Sequence, residues 1–333
     1  MKKRYERLLV TGAGGFIGSH VALSAVRAGY AVQALIRPAS PGRALLERQG
    51  VKLIVGDMMN EGDVRQALAG CDAVVHCAAQ VGDWGASKTY RQANVVATKM
   101  IADAAAAKKV KRFVLMSSLG VYAARHHYGT DETTPPASRG LDAYTRTKAE
   151  AEAVVRAASS AERMSAVILR PGFVYGPRDR HVLPQLISTL KSGRFAYIGD
   201  GQRRLDQIFI GNLVDAVFLA LDAPPSLNGE AFNVTDPELV TRREFVGTVA
   251  RLSGLPEPTL CVPVWPAYLL TQLLDRGGRL LNLSEPPMLS KARYKFLALN
   301  LEFSIEKAKS HLGYAPTRHF AEAMAETIAA LSI

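Results

Sequence analysis

The sequence predicts a doubly wound parallel α/β sheet with helices on both faces and a smaller, discontinuous second lobe. Three observations carry that reading. Short β-rich apolar runs recur at 31–36, 51–55, 72–76, 112–116 and 166–169, with helical patterns between them. The first run, Leu8-Leu9-Val10, leads straight into Thr11-Gly12-Ala13-Gly14-Gly15-Phe16-Ile17-Gly18. The runs also end on turn-forming or polar residues: Arg37-Pro38, Gly56-Asp57-Met58, Cys77-Ala78-Ala79, Ser117-Ser118 and Arg170-Pro171-Gly172. Alternation of this kind buries a parallel sheet on both sides, and ligands of such sheets bind beyond the carboxyl ends of the strands.

The glycine stretch reads as a strand, a tight turn and a helix N-terminus, with Ile17, Val21 and Val26 on one helix face. Backbone N–H groups in such a turn can meet a pyrophosphate, and the helix dipole adds to the attraction. Gly12, Gly15 and Gly18 divide the work between turning, admitting phosphate and packing helix on strand. The residue closing the second strand bears on the cofactor. An acid there would bind a ribose hydroxyl and repel a 2′-phosphate, whereas this chain has Arg37, which favours NADP and leaves NAD possible. Asp57, followed by Met58, is placed to accept a hydrogen bond from the adenine amine.

Bulk composition narrows the classes. The 333 residues, 48% of them hydrophobic, can bury a large core. Lys and Arg number 41 against 30 Asp and Glu, a net charge of +11, but they are scattered without aromatic interleaving. That argues against nucleic-acid binding and leaves attraction to anionic ligands or lipid headgroups. Cys71, Cys77 and Cys261 have neither disulfide nor metal spacing. A cytoplasmic protein without a metal is expected, since the charged start 1–7 lacks a signal peptide's apolar run and no stretch is long enough to span a bilayer.

Tyr144 and Lys148, at i and i+4, share a face of the helical run that starts at Tyr144. A phenol with a pKa near ~10 is a poor base at neutral pH, and a neighbouring ammonium favours its ionised form. Tyr144 can then exchange a proton with an alcohol or ketone oxygen while Ser118 holds that oxygen. Lys148 can also bind the nicotinamide ribose.

These residues, with Asp57, Asn94 and Arg170-Pro171-Gly172-Phe173-Val174-Tyr175-Gly176-Pro177, resemble the extended short-chain dehydrogenase/reductases of the epimerase/dehydratase superfamily, in order and spacing over nearly the whole chain. The resemblance implies a Rossmann-type fold, with Ser118, Tyr144 and Lys148 as the catalytic triad. It also implies Pro171 and Val174 against the nicotinamide, Ala78 and Ala79 beside the cofactor, an architectural Asn94 and a homodimer. Residues 1–171 with 205–238 would form the dinucleotide-binding domain. Residues 172–204 with 239–333 would form the substrate lobe.

Within that family the chain departs from the sugar-nucleotide pattern. Leu119-Gly120 stand where dehydratases carry Asp-Glu, and Leu205 stands where an arginine would grip a diphosphate, with Arg203 and Arg204 close enough for a shifted contact. The stretch 78–85, the run 181–184 and the C-terminal third look like the 3β-hydroxysteroid dehydrogenase-like branch, which includes reductases of 2-alkyl-3-keto acids. The resemblance implies an oxidoreductase acting on a secondary alcohol or ketone of a hydrophobic substrate. Val81, Trp84, Leu119, Tyr175 and Val182 would be in contact with that substrate. The alternatives are a nucleotide-sugar epimerase with tightly bound NAD and a non-enzymatic dinucleotide sensor. Leu269, Leu270, Leu273, Leu274, Leu280 and Leu281 recur at helical spacing. They read as the packed face of a second-lobe helix, or as a lid resting on a membrane surface.

Overall fold

A computed structural model describes residues 4–331 apart from 83, 139–141, 161–162, 282 and 284. The outermost ends of the two expected segments, 1–3 and 332–333, lie outside the described residues. Among the described residues, seven strands make the main sheet: β1 (Arg7–Thr11), β2 (Ala31–Ile36), β3 (Lys52–Val55), β4 (Ala73–His76), β5 (Arg112–Met116), β6 (Ser165–Pro171) and β7 (Ala231–Val234). They lie in the order β3-β2-β1-β4-β5-β6-β7, each neighbouring pair parallel. The direction of winding reverses between β1 and β4, which opens a crevice at their carboxyl ends.

The strands are largely apolar because both faces are covered. Leu8 and Val10 join one core layer and Leu9 the other, and Val75 and Val74, or Val114 and Phe113, divide the same way. Helix α1 (Phe16–Arg27) leaves the glycine turn and packs against the sheet. The contact is possible only without side chains. A Cβ on Gly18 would lie 2.3 Å from the Gly12 carbonyl oxygen, and one on Gly12, at φ +67°, would lie 2.6 Å from the Ala78 nitrogen.

The helical stretch between β4 and β5 is interrupted. Ser87–Arg91 and Ala97–Ala107 are α-helical, and Gln92–Val96 between them forms one wide π turn. Asn94, buried in that turn, explains it. Its amide oxygen accepts from Gln80 N at 2.7 Å, and its NH2 donates to Gln80 O and to Thr147 Oγ1, both at 3.0 Å. The wide turn lets one side chain tie the loop after β4 to the next helix. That helix, α2 (Ala143–Ala158), is started by Asp142, whose carboxylate accepts from Thr145 N at 2.9 Å.

Beyond β6 the chain builds further helices at Val182–Lys191, Arg242–Leu252, α3 (Val264–Leu280) and α4 (Lys291–Ala298). Three short parallel strand pairs stitch them together: Phe173–Tyr175 with Gln207–Phe209, Tyr197–Ile198 with Cys261–Val262, and His127–Thr130 with Leu301–Phe303. The last pair draws a segment from the first 171 residues out to a strand near the C-terminus. Helix Ile210–Asp222 returns to pack on β5 and β6.

The leucines of α3 do not form its packed face. The helix buries Ala267, Thr271, Asp275 and Gly278 and turns Leu269, Leu270, Leu273 and Leu280 outward, Leu280 being 84% exposed. Small and polar residues fit here because Trp84 reaches in from the loop after β4. A Cβ on Gly278 would lie 3.1 Å from its ring. Among the described residues no helix is long and apolar enough to cross a membrane.

The close approach of α1 to the glycine turn can be tested. Gly18→Ala puts a methyl into the Gly12 carbonyl, and overpacking against rigid backbone typically costs about 1–3 kcal/mol. Urea unfolding is expected to show a loss in that range, and an unchanged midpoint would contradict the contact.

Candidate active site

The carboxyl ends of β1 to β6 bring the cofactor residues expected from the sequence to one rim. Gly15 N donates to Gly12 O at 2.9 Å, which closes the turn, and α1 begins without any side-chain cap. The N–H groups of Phe16 and Ile17 thus open the helix with no capping side chain in front of them, as an anion-binding N-terminus requires. Ala78, just past β4, backs the turn from the other side, its N–H directed at Thr11 Oγ1 at 3.4 Å, and Ala79 follows it.

Arg37 follows β2 directly and is exposed, and among the described residues no carboxylate lies within ion-pair distance of it. The loop it starts folds back over the glycine turn. A Cβ on Gly14 would overlap Ser40, and one on Gly42 would lie 2.9 Å from Gly14 Cα. Ser40 and Gly42 escaped the sequence reading because a Ser-Pro-Gly loop looks like any other turn. Asp57 is exposed at the end of β3, where one carboxylate oxygen accepts from Met59 N at 2.9 Å and Met58 packs partly buried beside it. Pro171 ends β6, buried, and Val174 lies partly buried in the short strand that follows. A glycine cradle that any Cβ would fill, beneath an uncapped helix start, fits a dinucleotide.

Ser118, Tyr144 and Lys148 converge at the same rim. Ser118 leaves β5 in an extended conformation; its Oγ accepts from Gly120 N at 3.0 Å, and its hydroxyl is hydrogen-bonded to the Tyr144 phenol. Lys148 Nζ sits 6.0 Å from the centre of the Tyr144 ring and donates to Met116 O at 2.6 Å. Burial pushes the Tyr144 phenol up to about 12; the Asp142 carboxylate adds to the rise and the Ser118 hydroxyl opposes it. Burial also lowers Lys148 to about 8, against the pull of the Glu152 carboxylate.

His76, at the end of β4, is held neutral, lowered to about 3 by burial and by the nearby Lys148 charge. Its hydrogen bonds specify its tautomer. Thr98 spends its hydroxyl hydrogen on Asn94 O at 2.7 Å, so His76 Nε2 must donate to Thr98 Oγ1 at 2.9 Å. Nδ1 then accepts from the Thr11 hydroxyl at 2.7 Å. The turn and the interior are thereby linked through a neutral imidazole.

One turn beyond Lys148, Glu152 is completely buried. Arg170 on β6 grips it with two hydrogen bonds, at 2.8 and 2.7 Å, and the Ser117 hydroxyl adds a third at 2.6 Å. Burial alone would raise this carboxyl, but the bonds and charge of Arg170 outweigh it and hold it below its ordinary value. Arg170 also donates to Tyr122 Oη at 2.8 Å, and Tyr122 to Asn233 Oδ1 at 3.0 Å. Glu152 carries no motif of its own, and only its burial beside Arg170 marks it.

The residues expected at the substrate divide. Trp84 lines a small pocket that reaches Tyr144. Its indole N–H donates to Leu283 O at 2.7 Å, and the Arg279 guanidinium lies 4.8 Å from its ring. Val81 and Val182 are exposed. Leu119 and Tyr175 are both buried in the core. Leu119 packs in a cluster with Val121, Tyr122 and Phe303, because the turn after Ser118 points it inward. Tyr175 is fully buried, with its hydroxyl on Asp236 at 3.2 Å.

Comparison with known proteins agrees with this geometry. Residues 8–235 match the NAD dependent epimerase/dehydratase family. The chain is 33% identical to the 2-alkyl-3-oxoalkanoate reductase of Shewanella oneidensis, over 98% of this chain and 87% of that protein. It is 28% identical to the mouse (Mus musculus) sterol-4-alpha-carboxylate 3-dehydrogenase, decarboxylating, over 97% of this chain and 90% of that protein. Among solved structures, that of gox2253 superposes with a TM-score of 0.81 at 27% identity, over 98% of this chain and 97% of that one. With the glycine cradle, the tyrosine–lysine helix and matches along almost its whole length, this chain belongs to the NAD dependent epimerase/dehydratase family, as a nicotinamide-dependent oxidoreductase of CH–OH groups.

Proposed function

We propose that the protein interconverts a ketone and a secondary alcohol on an oily molecule, a long-chain 2-alkyl-3-oxo acid or a 3β-hydroxysteroid-like compound, with NADP as its cofactor. The observation that carries this is the convergence of Ser118, Tyr144 and Lys148 beside the glycine cradle. The printed activities of the relatives, on an oxoalkanoate and on a sterol carboxylate, supply the substrate class.

The residues divide the chemistry as follows. The glycine turn and the start of α1 hold the pyrophosphate, and Lys148 holds the nicotinamide ribose. When bound, the nicotinamide supplies or accepts the hydride. Ser118 donates its hydroxyl hydrogen to the substrate oxygen. Tyr144 gives that oxygen a proton in reduction and takes one from it in oxidation. Lys148 stabilises the phenolate that results, and its Met116 carbonyl bond keeps the ammonium aimed. Arg37, unpaired and above the turn, receives the 2′-phosphate.

A nucleotide-sugar epimerase fits less well. Leu205 is buried in the core, and the neighbouring arginines are already engaged, Arg203 on the Ala298 carbonyl and Arg204 on the Leu239 carbonyl.

Three measurements test the proposal. Tyr144→Phe keeps the ring but removes the transferable proton. It is expected to lower kcat by about 10²–10⁴ while leaving cofactor affinity within a few-fold, and full turnover would sink the mechanism. The second is a pH profile. In reduction Tyr144 must carry its proton, and with a pKa of about 12 it does so throughout the working range, whereas Lys148 loses its charge as pH rises through about 8. Accordingly, kcat/KM for ketone reduction is expected to be level below that pH and to fall above it. The third is cofactor affinity by thermal shift. Charge-assisted bonds to the 2′-phosphate are worth about 1.5–3 kcal/mol, so NADPH should bind roughly tenfold or more tighter than NADH, and Arg37→Glu should reverse the order. Equal affinities in the unaltered protein would remove Arg37 from the role.

A further inference from the structure

A cavity of about 300 Å³ lies between the first turn of α2 and the inner faces of α3 and α4. It shares Gly85, Asp142, Ala143 and Arg279 with the small pocket that reaches Tyr144, so the two adjoin. Its charged lining is Arg146, Arg279, Lys291 and Lys295 against Asp142 and Asp275. Asp275 serves two of the cations, Arg279 at 2.9 Å and Lys291 at 3.9 Å. Asp142 caps α2 through Thr145 N. Arg146 reaches only the Ser87 hydroxyl, at 2.7 Å, and Lys295 two carbonyls, Gly120 O and Tyr122 O, at 3.1 Å each. Among the described residues neither has a carboxylate within ion-pair distance. Among the described residues four cations thus line the recess with two carboxylates, which leaves a surplus of positive charge along it.

We propose that this recess is an anion subsite that takes the carboxylate of an acyl substrate, held by Arg146 and Lys295, while the ketone or alcohol lies at Tyr144. This rests on the oxidoreductase reading above and adds to it that the enzyme selects acids over their esters. Arg146 offers two parallel N–H donors to a carboxylate, and Lys295 has one ammonium hydrogen beyond those spent on the two carbonyls. Arg279, pinned by Asp275 and lying against Trp84, closes the far wall. The C-terminal half of α3 supplies Asp275 and Arg279 to this recess, while Ala267 and Leu274 pack in an apolar cluster beside it.

The test uses the full-length protein and needs neither turnover nor cofactor. The chain has two tryptophans. Trp265→Phe, at an exposed position of α3, leaves Trp84 as the one fluorophore, in contact with Arg279. Decanoate is expected to change Trp84 emission at concentrations at least tenfold lower than methyl decanoate. Arg146→Gln in the same background should weaken decanoate binding about tenfold and leave the ester's response unaltered, while Arg146→Lys should restore part of it. Equal responses to acid and ester, or decanoate binding indifferent to Arg146→Gln, would overturn the proposal. Inorganic phosphate acting as strongly as decanoate would also overturn it, by assigning the recess to a phosphate instead. Tyr144→Phe must retain decanoate binding. A protein that binds decanoate in this way yet turns over no ketone would sink the catalytic reading and leave the subsite standing.

Discussion

The buried Glu152–Arg170 pair is the constraint on which the rest of the site depends. It joins α2 to β6, and through Ser117 it joins both to the end of β5. Lys148 sits one turn before Glu152 and Tyr144 one turn before that, so the pair sets where the phenol and the ammonium stand relative to Ser118 and Pro171. Two charges taken out of water are not a cheap source of stability, but removing either partner leaves the other uncompensated, at about 3–5 kcal/mol. Here the geometry is bidentate and the remaining acceptor capacity is filled by Ser117 and Arg156. The pair thus acts as a register device: α2 can occupy one position on the sheet, and the reacting groups inherit it.

The site's electrostatics follow from burial more than from any single neighbour. Burial raises Tyr144, lowers Lys148 and lowers His76, in each case favouring the neutral form of the group. The fold tolerates a buried lysine because its ammonium bonds the Met116 carbonyl, and it tolerates a buried imidazole because both ring nitrogens are satisfied. Groups held away from their ordinary pKa values are the ones whose proton transfers a second charge can tune.

The second lobe shows what periodicity cannot say. Leucines at helical spacing in α3 read as a packed face, yet the loop after β4 brings Trp84 to the opposite side, and the helix turns Ala267, Thr271, Asp275 and Gly278 inward. A helical pattern reports that a face is apolar and does not report which way it points. The same limit explains Leu119 and Tyr175. Each lies beside a site residue in sequence, but the local turn sends its side chain into the core.

Much of the first half was legible in the chain. Strands 31–36 and 112–116 match their expected bounds, since an apolar run between turn residues has few alternatives in a sheet covered on both faces. The glycines 12, 15 and 18, the tyrosine–lysine spacing and Ser118 at a strand end were readable because each is a local requirement: a left-handed φ, a backbone contact, one helical turn. What tertiary structure alone decided is everything that depends on meeting a distant residue. The π turn at Asn94, the neutral tautomer of His76, the partners of Glu152, the closure of Ser40 and Gly42 over Gly14, and the basic recess between α2, α3 and α4 all join segments far apart in sequence. Local residue patterns are governed by short-range sterics and periodicity, whereas burial and charge pairing are properties of surfaces that exist only once the chain has packed.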